Sequence, residues 1–183
     1  MIGGRIAVLV GAMAAACAAA LACGGGDPAP ADSSGCFLAF DSQFDGFRGW
    51  TSVTFDGGAD GDAGIHVAGP RTEYINHEPP DGSTAFPVGT LVVKEVGAAD
   101  PNPANHHLFT MAKRGCDFDA AGAKGWEFIE LKEATGGATI LWRGVGPPAG
   151  ETYGGDPNGC NSCHAACTNN DSICSSHLRL PKL

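Results

Sequence analysis

Positive charge is scarce in this 183-residue chain: 11 lysines and arginines stand against 20 acidic residues, a formal net charge of −9. A nucleic-acid surface needs the opposite balance, so that class of partner is excluded. After the first two dozen residues there is no second apolar run long enough to span a bilayer, so the body reads as a soluble domain, tethered at most. From Cys36 onward there is no internal repeat and no second linker, and the length suits one domain. What is abundant points the same way. The 28 glycines and 12 prolines favour turns and short strands over long helices. Hydrophobic residues make up 43% of the chain, enough for a core. Eight cysteines are more than a cytosolic enzyme normally carries, which directs attention to an exported, oxidising or cofactor-bearing context.

The N-terminus reads as an address. Met1 to Arg5 carries one positive charge, and Ile6 to Ala22 is uncharged, apolar and rich in alanine. That is a secretory signal pattern over residues 1–22. Ala20-Leu21-Ala22-Cys23 resembles a bacterial lipoprotein cleavage site, although Leu21 stands two residues before the cysteine rather than three. Lipidation of Cys23 is the expectation, with plain cleavage as the alternative. Residues 23–35 are Gly, Pro, Ala, Ser and Asp after the cysteine, a flexible tether. The expected location is therefore exported and periplasmic, lipid-anchored to a bacterial membrane only through Cys23.

Residues 36–183 form the expected domain. Six runs have strand character: Trp50 to Phe55, Arg71 to Asn76, Thr90 to Val96, His107 to Lys113, Trp126 to Leu131 and Ala138 to Trp142. The last two flank Gly136-Gly137 and read as a hairpin. One short helix is expected to open near Asp156-Pro157-Asn158. The fold class is α+β and β-rich, with an antiparallel sheet of about five strands and a few short flanking helices. Within TLVVKEV, alternation puts Lys94 between Val92 and Val96 on one face. A lysine there is unusual, and an edge strand that lets it reach water is the plain explanation.

The motif that carries chemistry is Cys160-Asn161-Ser162-Cys163-His164, the C-x-x-C-H attachment signature of c-type haem. Two thiols three apart on a helical turn reach the two vinyl groups of one porphyrin, and the adjacent imidazole reaches the iron. Composition predicts about 0.01 chance occurrences in a chain of this length, so the motif is specific. Export agrees with it. Three alternatives remain: a thioredoxin-like redox pair, a zinc site using Cys160, Cys163, His164 and Cys167, and plain disulfides. No methionine follows His164, the last being Met111, and His177 is the only later imidazole, with a surface role expected. The expectation is therefore one covalent haem c with a five-coordinate iron, open to a small molecule.

Several blocks together resemble the cytochrome P-460 family: Phe86 to Glu95, Met111 to Gly115, Trp126-Glu127-Phe128, Cys160 to His164, and Arg71 to Asn76 upstream. The likeness covers about residues 48–178. It implies a β-rich, usually homodimeric protein with one five-coordinate c-type haem. The implied activity is oxidation of hydroxylamine or a related small nitrogen species, with electrons passing to a soluble cytochrome. Relatives called β-type cytochromes c′ bind nitric oxide or carbon monoxide without turnover, and a haem-free tethered domain is a third possibility. The likeness also places Lys94 where oxidising members join a lysine to the haem. Arg71 stands where an arginine serves the distal pocket, a surface salt bridge being the alternative. Phe86 is either a distal cap or an ordinary core residue. A proton-accepting carboxylate is not located by the likeness, and Glu127, Glu130, Glu133 and Glu151 are all candidates.

The chain departs from that family in its cysteines. With Cys17 in the signal, Cys23 at the lipidation site and Cys160 and Cys163 in the motif, Cys36, Cys116, Cys167 and Cys174 remain. Cys167 with Cys174 closes a local loop and is the preferred pair, leaving Cys36 with Cys116. A labile redox pair is the alternative.

Overall fold

The computed structural model describes residues 35–56, 70–150 and 159–180. The expected signal, most of the tether, Glu151 and the helix start at 156–158 lie outside the described residues. Six strands form one antiparallel sheet in the order of the chain: β1 (Thr51–Asp56), β2 (Pro70–Ile75), β3 (Leu91–Val96), β4 (His107–Lys113), β5 (Trp126–Ala134) and β6 (Gly137–Gly144). The expected count of about five becomes six, because every one of the six runs pairs and β1 closes one edge against β2. One α-helix, α1 (Gly159–His164), and four short 3-10 turns complete the described elements.

The strands form where β-branched and aromatic residues alternate, and turns form where glycine allows the chain to reverse. Thr135 and Gly136 alone connect β5 to β6, and Gly136 takes a left-handed φ of 87°. A two-residue hairpin needs that conformation, and glycine adopts it without steric cost. A register shift between Glu130 and Leu131 marks a bulge in the same pair.

Alternation divides the sheet into two faces. Leu91 and Val93 of β3, Leu108 and Ala112 of β4, and Ile129 and Leu131 of β5 face the N-terminal segment, where Phe37, Ala39, Phe44 and Phe47 cover them. The Cys36–Cys116 disulfide fastens that segment. Val92, Met111, Phe128 and Trp126 face the other way, towards Ile173, Leu178 and Leu180 of the C-terminal segment. A second disulfide, Cys167–Cys174, closes a loop within it. Both bridges match the expected pairing.

Candidate functional site

Helix α1 lies across the second face. Asn161 fastens it: its Oδ1 accepts the Ala123 amide at 2.7 Å, in the loop between β4 and β5. The six-residue helix places Cys163 and His164 one turn after Cys160, on the same side. All three line a cavity of about 580 Å³. Val92, Lys94, Phe109, Met111 and Phe128 of the sheet form its opposing wall, with Ile173 and Ser175 of the C-terminal segment at its side.

Cross-strand register builds a single row on this wall. Glu73 pairs with Lys94, Lys94 with Phe109, Phe109 with Glu130 and Glu130 with Trp142. β3 is an inner strand between β2 and β4. The edge-strand explanation of Lys94 is thereby corrected: its half-buried side chain faces a cavity, which leaves room that a packed core would deny it.

Three of the four carboxylate candidates can be placed, Glu151 lying outside the described residues. Glu127 lies on the opposite face, in ion pairs with Arg143 and Arg114. Glu133 is 52% exposed and pairs with Arg48. Glu130 is on the cavity face, where it accepts the Trp142 indole N–H at 2.7 Å and meets His107 Nδ1 at 3.4 Å. Glu73, absent from the candidates, is the carboxylate on the cavity wall, 7% exposed and bonded by the Ser175 hydroxyl at 2.5 Å. The period-2 pattern held a signal, since Glu73 must share the face of Ile75, but the pairing that sets it opposite Lys94 is a long-range fact.

Arg71 is only 2% exposed, so the surface salt-bridge alternative does not fit. It shares the face of Glu73 without lining the cavity; its guanidinium lies 5.9 Å from the Phe55 ring, which in turn contacts exposed His177. Phe86 is a core residue packed edge-on against Trp126 at 5.8 Å.

The imidazole of His164 is oriented by its backbone surroundings. Its Nδ1 lies 2.8 Å from the Ser172 carbonyl oxygen. A carbonyl can only accept, so Nδ1 carries the proton and the neutral ring has its lone pair on Nε2. That is the tautomer a metal ligand needs. The two motif thiols are unoxidised, whereas Cys167 is bonded to Cys174 and cannot serve as a fourth thiolate for zinc. Among the described residues no cluster of three or more His, Cys, Asp or Glu is arranged to hold a bare metal ion. Burial is the main cause that pushes the Cys160 thiol up to about 11, with Cys163 and Glu130 adding to it.

Comparison of the chain with protein-family models, curated proteins and solved structures found no match. The reading of this site therefore rests on its chemistry.

Proposed function

We propose that the cavity holds one covalent haem c in an exported, lipid-anchored periplasmic protein of the cytochrome P-460 type. Cys160 and Cys163 would form the thioethers and His164 would ligate the iron. The carrying observation is a conjunction: two unoxidised thiols and a tautomer-fixed imidazole line one cofactor-sized cavity, while the other four described cysteines are paired. The donor set fits c-type haem, since thiols anchor and imidazole ligates. Bound there, the group supplies one-electron redox chemistry and an iron position open to small molecules.

The chain's own residues favour turnover of hydroxylamine or a related small nitrogen species. Such substrates lose protons as they are oxidised, and Glu73 offers an acceptor on the cavity wall. Lys94 lines the same wall and is the residue that would react with the cofactor. Electrons would leave to a soluble cytochrome. A second reading, nitric oxide or carbon monoxide binding without turnover, draws on the apolar lining by Val92, Phe109, Met111 and Phe128.

Haem staining of a denaturing gel, with the intact mass, tests the cofactor. Protein matured in a host that attaches c-type haem should carry one haem after denaturation, and bare apoprotein would refute the proposal. Steady hydroxylamine oxidation with an electron acceptor separates the two readings. A Lys94→Ala variant whose haem spectrum equals the parent's would exclude a bond to Lys94.

A further inference from the structure

The loop from Cys167 to Cys174 does more than follow the haem motif. It contains a 3-10 turn, Thr168–Asn170, and then two consecutive non-glycine residues in the left-handed region, Asp171 at φ 49° and Ser172 at φ 68°. Such a pair is disfavoured on its own and persists only where the surroundings hold it. The surroundings are explicit. Lys113 Nζ and the Phe86 amide donate to the two Asp171 carboxylate oxygens at 2.8 and 2.9 Å, and the Trp126 indole donates to the Asp171 carbonyl at 2.6 Å. The Ser172 amide donates to the Cys167 carbonyl at 2.9 Å, and the disulfide closes the loop behind it. The outcome of this bracing is the direction of one group, the Ser172 carbonyl, which receives His164 Nδ1–H.

We infer that the Cys167–Cys174 disulfide loop is the positioning element for His164, fixing the tautomer and ring orientation through the Ser172 carbonyl. Opening the disulfide releases a brace on a backbone conformation that is otherwise unfavourable, and the carbonyl then leaves the imidazole. The chemical step is ordinary. A dithiol reductant donates two electrons and two protons, the S–S bond breaks to two thiols, and the reductant becomes a disulfide. The consequence for iron ligation rests on the haem reading above, but the positioning role does not.

The test separates the two. Imidazole ¹⁵N NMR of the haem-free chain reads the His164 tautomer directly. The disulfide-intact protein should show a single Nδ1–H form, and the Cys167→Ser/Cys174→Ser variant should show loss of that signature. Strand amide spectra report whether the sheet is intact. Should the variant fail to fold, the same readout is taken on the parent after reduction by a soluble dithiol and after reoxidation. Thiol alkylation and mass spectrometry then identify the opened pair. A tautomer lost on opening Cys167–Cys174 and regained on closing it supports the inference. An unchanged signature with that pair open overturns it, whether or not the mature protein carries haem. In haem-loaded protein, the ferrous iron–imidazole stretching band should shift on reduction of the pair, and an unmoved band likewise counts against the role.

Discussion

The two faces of this sheet are made by the same six strands and do opposite things. On one face the N-terminal segment inserts Phe44 and Phe47, 0% and 1% exposed, and packs them into the core. The one deeply placed carboxylate between β2 and β4, Glu95, is saturated there: Arg48, Tyr74 and His106 all donate to it. On the other face the C-terminal segment bridges the sheet without filling it, leaving about 580 Å³ bounded by thiols, an imidazole, a lysine and a carboxylate. The difference teaches that the carboxylates of the filled face belong to stability, because Glu95 and Glu127 spend their acceptors on neighbouring donors, while the buried Thr110 hydroxyl there has no partner among the described residues. Polar residues on the open face border space that a ligand can enter.

The sharpest way to break this contrast is Cys160→Ala with Cys163→Ala. Covalent haem should disappear entirely from the gel stain and the intact mass, while the filled face keeps its fold. Retention of covalently bound haem would show that attachment lies elsewhere. Next in size is bridge removal. Cys36 and Cys116 are 80 residues apart and Cys167 and Cys174 only 7 apart. Chain entropy then gives losses of about 4.5 and about 2.5 kcal/mol respectively when each pair becomes serine. Denaturant titration reads both, and a reversed order would argue that the open face carries more of the stability than its packing indicates. Third, Phe47→Ala should cost about 3–5 kcal/mol, whereas Phe109→Ala on the cavity wall should cost less than about 2 kcal/mol, since that ring already borders open space. Equal costs would erase the distinction between the faces.

A smaller effect concerns pH. Burial raises the Glu95 carboxyl, but hydrogen bonds from Arg48, His106 and Tyr74 and the Arg48 charge outweigh it and hold the group below its ordinary range. A depressed folded-state value contributes stability fully present above the unfolded value of about 4.3, and lost as pH falls through the folded one. Glu95→Gln should flatten the acid limb of a stability profile, and an unaltered limb would assign it to other carboxylates. Smallest is the reactivity of the haem-free thiol. With Cys160 raised to about 11, its alkylation at pH 8 should be slow and should accelerate as the pH approaches that value. Fast labelling at neutral pH would mean that the helix face of the cavity is wetter than described.

Much of the fold was legible because strand identity is a local property. Val-rich TLVVKEV and the Gly136 hairpin declare themselves within a few residues. The disulfide partners followed from elimination and loop closure. Glu73 was not legible, since its importance comes from lying opposite Lys94 across two strands and beneath Ser175, 102 residues away. Nor was the placement of Lys94 on an inner strand, because neighbour order in a sheet is not written in any one strand.

The amino-acid order alone placed the strands, the two thiols beside an imidazole and the cysteines left over for bridges, because alternation and short spacing act over a handful of bonds. Only the tertiary structure decided which face was filled, which carboxylate borders the cavity and which backbone carbonyl receives the His164 N–H. Those depend on register and on which distant segment covers which face, and both are settled by contacts summed over the whole chain.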